Sequence, residues 1–263
     1  MSERFLSFML TIVGRGLLLR DRLNGNMAKW LDTFPFGAER FVLTSGGRGL
    51  SAVYVSAGED APAFVICHGI GERVEYWGRV QSLLHREGVS SLVFNYTGFG
   101  ASTGRACAAN CEEDAVAAVE ELTRRGAREI FLLGFSMGTG IAPEIASRVK
   151  VSGVILCQGF SSLREAAQVA GIPRWVTLLA TDAWRTEERV RSLDVPVLVV
   201  HSEDDGLFPV TMADRVAVAC GERGEKIVLS GFPHNTPIFA APEGYWGPVV
   251  EWAKSQAAVG RKA

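Results

Sequence analysis

Short, nearly unbroken apolar runs recur along the chain after its first forty residues. They cover Ala63 to Cys67, Leu92 to Asn95, Ile130 to Gly134, Val154 to Cys157, Pro196 to His201 and Ile227 to Ser230. These runs are too short for a typical helix, and they do not alternate between apolar and polar positions. Such a pattern indicates strands that are buried on both faces, as in a parallel sheet.

Amphipathic stretches with helical spacing lie between these predicted strands. They cover Val74 to His85, Cys111 to Arg124, Met137 to Val149, Thr211 to Ala219 and Pro242 to Lys254. Alternating strands and helices predict right-handed crossovers and a mostly parallel sheet with helices on both faces. Before them, Arg40 to Thr44 and Leu50 to Val55 flank a glycine-rich turn, which predicts an antiparallel hairpin at one edge of the sheet.

Two segments do not fit this alternation. Residues 158–194 are too long for one crossover and carry several large apolar side chains, so we predict a small helical cap over the sheet. Residues 1–35 precede the main domain, which we assign to residues 36–263. Within them, Phe5 to Gly14 is uncharged but too short to span a membrane. The segment is predicted to form an amphipathic helix that packs on its own domain, on a second subunit in a homodimer, or on a membrane surface.

Composition is consistent with one globular domain with a large core. The chain has 263 residues, of which 48% are hydrophobic and 21% charged, and its formal net charge is -2. That balance gives no reason to expect nucleic acid as a partner. The five cysteines are odd in number and low in density, so we predict no disulfide scaffold. No second pair follows Cys107 and Cys111 at ligand spacing, so we predict no metal, and the cysteine usage favours a cytoplasmic location.

The strongest chemical signal is the sequence Gly134-Phe135-Ser136-Met137-Gly138. It follows a predicted strand and precedes a predicted helix, which is the context of a nucleophile elbow. The flanking glycines permit close approach of the backbone in a tight turn. The elbow would project Ser136 from the end of the sheet as a nucleophile.

A serine nucleophile needs a base and an acid that orients the base. His234 lies in a turn-rich loop after the last apolar run, and Asp204 and Asp205 follow the run that ends at His201. Either aspartate could be the acid on this evidence. The order Ser136, Asp, His234 along the chain matches the nucleophile–acid–base order of α/β-hydrolases.

Three further segments resemble the α/β-hydrolase superfamily, in its branch of small esterases and monoacylglycerol-lipase-like and aminopeptidase-like serine hydrolases. Val65 to Gly69 is similar to the family's His-Gly oxyanion strand, and Asn95 to Ser102 is similar to its Asp-x-Arg-Gly-x-Gly-x-Ser segment, with Asn95 and Thr97 as departures. His201 to Pro209 resembles a His-Gly-x-x-Asp-x-x-Val-Pro segment, which assigns the acid to Asp205 and leaves Asp204 as the fallback. The resemblance covers roughly residues 40–255.

The resemblance also implies an oxyanion hole formed by the backbone N–H groups of Ile70 and Met137. Glu72, Arg73 and Glu75 follow in the same loop, and we interpret them as solvated residues at the start of a helix. The side chains of the predicted cap either line an apolar acyl pocket or pack the cap on the sheet. The candidate pocket residues are Trp175, Leu178, Leu179 and Trp184.

The resulting hypothesis is a serine hydrolase that cleaves a carboxylic ester, a thioester or a small amide through an acyl-enzyme. Ser136 attacks, His234 transfers the proton and Asp205 orients His234. The substrate is a small acyl compound, and the chemistry requires no metal or organic cofactor. Two alternatives stay open: an acyltransferase that uses the same three residues, and a non-catalytic ligand-binding or scaffold protein of this fold.

Overall fold

The computed structural model describes residues 33–178 and 182–260. Its strands are β1 Glu39–Ser45, β2 Arg48–Val55, β3 Ala63–Cys67, β4 Ser90–Phe94, β5 Ile130–Phe135, β6 Gly153–Cys157, β7 Val197–Ser202 and β8 Gly224–Leu229. Its helices are α1 Gly78–Arg86, α2 Ala108–Arg124, α3 Gly138–Ala146, α4 Leu163–Val169, α5 Arg174–Thr177, α6 Thr186–Val190, α7 Val210–Cys220, α8 Thr236–Phe239 and α9 Glu243–Gly260, with 3-10 turns at Val74–Trp77 and Gly221–Arg223.

Within the described ranges, the strands form one eight-stranded sheet in the order β1-β2-β4-β3-β5-β6-β7-β8. β1 and β2 form an antiparallel hairpin, and β2 pairs antiparallel with β4. From β4 to β8, every neighbouring pair is parallel. The carboxyl ends of these parallel strands therefore meet at one edge, which is where open α/β sheets bind their ligands.

The core has two layers, one on each face of the sheet. In β3, Val65 and Cys67 belong to the layer beneath α2, α3, α6 and α7, while Phe64 and Ile66 belong to the layer beneath α1 and α9. Each of these four side chains is fully buried. Burying one large apolar side chain stabilises the fold by about 1.5–3 kcal/mol, which explains why β3 is apolar at every position.

These observations confirm the predicted fold class: a mostly parallel sheet with helices on both faces and a small helical cap. Helices α4 to α6 form the cap between β6 and β7. Its Trp184 is fully buried, lies against Gly140 of α3, and donates a hydrogen bond from Nε1 to Glu112 at 3.2 Å. Trp184 thus fastens the cap to the helical layer over the sheet.

One predicted helix is divided in two. Residues 74–85 were expected to form a single helix, but they form a 3-10 turn followed by α1. Val74, Tyr76 and Trp77 are all buried, and these three positions do not share one narrow face of a regular α-helix.

The predicted amphipathic segment, residues 1–35, lies almost entirely outside the described residues, and so does Leu179. In the part of the chain that the structure describes, no helix combines the length and apolarity needed to cross a bilayer.

Candidate active site

Ser136 lies at the turn from β5 to α3, at the carboxyl edge of the sheet. Its backbone has a φ of 51°, in the left-handed region that residues with a side chain seldom adopt. The turn is held on both sides, because the N–H of Ser136 donates to the carbonyl of Cys157 at 3.0 Å and its carbonyl accepts from the N–H of Thr139 at 3.0 Å. The surrounding strands thus stabilise a strained turn that aims the hydroxyl out of the sheet.

The two glycines of this turn are required by close backbone packing. A Cβ atom at Gly138 would collide with the carbonyl group of Cys67 at the end of β3. A Cβ atom at Gly134 would collide with the carbonyl group of Gly138. The first turn of α3 therefore lies directly on the ends of the central strands, and any side chain at either position would move Ser136.

Ser136, His234 and Asp205 form a continuous chain of hydrogen bonds. The distance from Ser136 Oγ to His234 Nε2 is 3.0 Å, and that from His234 Nδ1 to Asp205 Oδ2 is 2.7 Å. An ionised aspartate can only accept, so Nδ1 of His234 carries the proton and Nε2 is free to accept the hydroxyl proton. In this arrangement the imidazole is set to act as a base toward Ser136.

Asp205 is buried and fully hydrogen-bonded. Its Oδ1 accepts from the backbone N–H groups of Leu207 at 2.8 Å and Phe208 at 3.0 Å. Burial alone would raise the pKa of this carboxyl, but the hydrogen bond and charge of His234, with the two backbone bonds, outweigh it and hold the pKa below its usual value. Asp205 is therefore an anion at neutral pH.

The alternative acid, Asp204, is exposed and has another partner. Its carboxylate accepts a hydrogen bond from the backbone N–H of Gly231, in the loop that carries His234. Asp204 thus ties the loop after β7 to the loop after β8. The structure brings Asp205, and not Asp204, to the imidazole.

Aromatic rings hold the imidazole of His234 in place. Phe135 lies 5.6 Å from it and Phe208 lies 5.4 Å from it, measured between ring centroids. Behind Phe208, the buried His201 donates from Nε2 to the carbonyl of Phe208 at 3.0 Å. Burial lowers the pKa of His201, so this second histidine stays neutral and supports the Asp205 loop as a hydrogen-bond donor.

The two backbone N–H groups that were predicted to form the oxyanion hole belong to residues next to Ser136 or to Gly69, whose added Cβ atom would lie 3.1 Å from Ser136 Cβ. Met137 directly follows Ser136 and caps α3, and Ile70 lies in the turn that follows β3. Among the described residues, neither N–H group has a hydrogen-bond acceptor. Both are therefore free to donate to an atom outside the chain.

The prediction that Glu72 and Arg73 are solvated is wrong. Their side chains are 6% and 3% exposed, respectively. Glu72 accepts a hydrogen bond from Nε1 of the buried Trp77 at 3.0 Å, and Arg73 donates to the Tyr76 hydroxyl at 3.0 Å. The 3-10 turn that follows them buries Val74, Tyr76 and Trp77, and the two charged residues before it are enclosed with it rather than presented to solvent.

The four predicted pocket residues lie in different surroundings. Trp175 is 69% exposed and Leu178 is 59% exposed, whereas Trp184 is buried in the packing of the cap. Leu179 lies outside the described residues. The burial of Trp184 favours the packing role for this residue, and the apolar acyl pocket stays a prediction.

Gln158 is a residue of the site that the sequence analysis missed. It is fully buried at the end of β6, with a φ of 50°. Its Oε1 accepts from the N–H of Ser202 at 2.8 Å, and its Nε2 donates to the carbonyl of Phe232 at 3.2 Å. One amide therefore joins the loop that carries Asp205 to the loop that carries His234. A polar residue directly after an apolar strand was the available signal.

We expect Gln158→Leu to lower kcat by about tenfold while KM changes little. The substitution leaves two buried backbone groups without hydrogen-bond partners, at a cost of about 1–3 kcal/mol each, and both loops are expected to shift as a result. Steady-state kinetics on a p-nitrophenyl ester measures this. Gln81→Leu is the matched control: Gln81 is also fully buried, but it bonds Val53 and Ser91, away from the site. Equal kcat losses in the two variants would contradict a role for Gln158 at the site.

No metal site is evident in the described ranges, where no three His, Cys, Asp or Glu side chains are grouped so that they could hold an ion.

Similarity to known proteins extends over most of the chain. The uncharacterized protein Rv2307c of Mycobacterium tuberculosis is 30% identical over 210 residues, which cover 77% of this chain and 74% of that protein. The lysophosphatidylserine lipase ABHD12 of Danio rerio is 27% identical over 168 residues, covering 56% of this chain and 43% of that protein. Among solved structures, the Pyrococcus furiosus esterase Pf2001 superimposes with a TM-score of 0.71 at 20% identity, covering 84% of this chain and 93% of that one.

A family model decides the assignment. The model of the alpha/beta hydrolase family matches residues 64–259, from β3 to the end of α9. This match includes the turn that carries Ser136 and the loops that carry Asp205 and His234. On this basis the chain belongs to the alpha/beta hydrolase family.

Proposed function

We propose that this protein is a serine hydrolase that cleaves a carboxylic ester or a thioester through an acyl-enzyme intermediate. The observation that carries the proposal is the hydrogen-bond chain from Ser136 Oγ through His234 to Asp205, with distances of 3.0 Å and 2.7 Å. A serine hydroxyl is a weak nucleophile by itself and becomes reactive when a base of this kind accepts its proton.

In the first half-reaction, Ser136 Oγ bonds to the acyl carbon as His234 Nε2 takes the hydroxyl proton. The carbonyl electron pair moves to its oxygen, and the resulting oxyanion accepts hydrogen bonds from the N–H groups of Ile70 and Met137. Donors of this kind contribute about 3–4 kcal/mol each to the transition state. The bond to the leaving group then breaks, and His234 gives its proton to the departing alcohol or thiol.

In the second half-reaction, water replaces the leaving group. His234 takes a proton from the water as its oxygen bonds to the acyl carbon, and a second oxyanion forms at the same two N–H groups. Its collapse breaks the bond to Ser136 Oγ, which recovers the proton from His234 as the acid departs. Asp205 stabilises the imidazolium that forms in both halves, and no step draws on a metal or an organic cofactor.

The relatives support ester chemistry. The structural neighbour from Pyrococcus furiosus is named an esterase, and the relative from Danio rerio is named a lysophosphatidylserine lipase. A cytoplasmic location is also part of the proposal. It is supported by the cysteines, because all five are free thiols and four are buried, as expected in a reducing compartment.

A fluorophosphonate probe tests the proposal directly, because it bonds covalently to a serine only where a base and an oxyanion site are formed. We expect folded protein to be labelled at Ser136, as located by mass spectrometry of the digested protein, and heat-denatured protein to stay unlabelled. We also expect turnover of p-nitrophenyl acetate, butyrate or octanoate. Absence of labelling in folded protein would contradict the proposal. Labelling without hydrolysis of any ester would contradict the hydrolase and favour an acyltransferase.

A further inference from the structure

A buried carboxyl group lies beside the nucleophile, outside the Ser136–His234–Asp205 chain. A Cβ atom added to Gly69 would collide with Glu72 Oε1 and would lie 3.1 Å from Ser136 Cβ. The carboxyl group of Glu72 and the nucleophile therefore flank the same point of the turn after β3. The mechanism above makes no use of this group.

Hydrogen bonds connect Glu72 to both ends of the turn that carries Ile70. The backbone N–H of Glu72 donates to the carbonyl of Gly69 at 3.3 Å, and the N–H of Gly69 in return donates to the Glu72 carboxyl group. Trp77 Nε1 donates to Glu72 Oε2 at 3.0 Å. Ile70 lies between the two residues that bond each other, so the direction of its N–H depends on the Glu72 side chain.

The surroundings of Glu72 disfavour a negative charge. It is 6% exposed, and no Lys, Arg or His of the described chain forms an ion pair with it. Burial raises the pKa of this carboxyl to about 8, although the hydrogen bonds from Gly69 and Trp77 act in the opposite direction. Near neutral pH the group therefore carries its proton.

We propose that Glu72 is a positioning residue for the oxyanion hole: its neutral carboxyl group holds the Ile70 turn, and its ionised form opposes the oxyanion that develops there. The inference rests on the proposed function, since it assumes acyl transfer at Ser136. Two negative charges a few ångströms apart in a water-poor site repel strongly, and a charge on Glu72 would act against the oxyanion more than against the uncharged substrate.

Other titratable groups surround Glu72. Cys67 ends β3 and Tyr96 lies in the loop after β4; burial raises the pKa of Cys67 to about 12 and that of Tyr96 well above its usual value. Arg73 directs its guanidinium toward Tyr76. His234 lies across Ser136 and is hydrogen-bonded to its hydroxyl. We therefore assign the fall in activity between pH 7 and pH 9 to the ionisation of Glu72.

The test is the pH dependence of kcat for p-nitrophenyl butyrate, corrected for spontaneous hydrolysis. Wild-type kcat is expected to be about tenfold lower at pH 9 than at pH 7. The reason is that only about one tenth of the Glu72 carboxyl groups keep their proton one pH unit above the pKa. Glu72→Gln is uncharged throughout and is expected to lack this decline while it keeps measurable activity at pH 7. Glu75→Gln, in the 3-10 turn three residues before α1 begins, is the matched control and should decline like the wild type.

The outcomes separate this inference from the proposed function. An active wild type whose alkaline decline persists unchanged in Glu72→Gln overturns the inference and leaves the hydrolase intact. A wild type that neither reacts with fluorophosphonate nor hydrolyses esters overturns the proposed function. If Glu72→Gln does not fold, Trp77→Phe replaces it: loss of one hydrogen bond to the carboxylate should move the alkaline inflection to higher pH, and an unmoved inflection overturns the inference.

Thermal stability gives a readout that does not depend on activity. In the unfolded protein Glu72 has its usual pKa of 4.5, whereas in the folded protein its pKa is about 8. Between these values the wild type therefore loses stability as pH rises, and Glu72→Gln does not. The Tm of the variant minus that of the wild type is expected to grow from pH 5 to pH 8, and a constant difference would contradict a buried, neutral Glu72.

Discussion

Ser136→Ala is expected to lower kcat for ester hydrolysis by about a millionfold, because the variant loses the atom that forms the acyl-enzyme. The remaining rate would come from substrate binding and from the N–H groups of Ile70 and Met137, which the substitution does not remove. Fold and stability should change little, since alanine removes one oxygen from a turn held by its backbone bonds to Cys157 and Thr139.

The measurement is kcat on p-nitrophenyl butyrate together with Tm, for the wild type and two variants. Ser147→Ala is the matched control, because Ser147 is an exposed serine at the opposite end of α3. We expect Ser147→Ala to retain wild-type kcat. Appreciable turnover by Ser136→Ala, at a level above trace contamination, would show that Ser136 is not the nucleophile.

Asp205→Asn is expected to lower kcat by about ten-thousandfold at pH 7. The asparagine amide can donate to His234 Nδ1, which would favour the imidazole tautomer whose Nε2 carries the proton. In that tautomer Nε2 cannot accept the proton of Ser136. The substitution also removes the anion that stabilises the imidazolium in both half-reactions.

The neighbouring aspartate supplies the control. Asp204→Asn keeps the polar side chain beside Gly231 and leaves the imidazole bond intact, so its kcat should lie within about threefold of the wild type. Kinetics of the two variants on one ester decides between them. A larger loss in Asp204→Asn than in Asp205→Asn would assign the acid to Asp204.

The buried strands were the most predictable elements. β3 spans Ala63–Cys67 as expected, because both of its faces are covered and every position is apolar. β8 was expected at Ile227 to Ser230 but begins at Gly224. It is an edge strand whose early residues Glu225 and Lys226 are charged and exposed, so the start of the strand does not stand out as an apolar run.

In the site, too, residues in a local sequence motif were predictable and residues that depend on distant contacts were not. Ser136 lies in a motif whose spacing has a local steric cause, namely the backbone contacts of Gly134 and Gly138. Glu72 and Gln158 have no local motif. Their roles depend on partners that are distant along the chain or enclosed by folding, such as Phe232 for Gln158. Sequence alone assigns a charged residue near a helix start to solvent, and only the packed structure shows Glu72 enclosed.

The hydrogen-bond chain joins a central strand of the sheet to an edge strand. Ser136 follows β5, which has neighbours on both sides, while His234 follows β8, which pairs with β7 alone. Edge elements open at lower free energy than central ones. A molecule that detached only its last strand would keep most of its folded core and an intact serine, yet it would have no base. The proposed catalytic activity is therefore expected to be lost on warming before the fold melts.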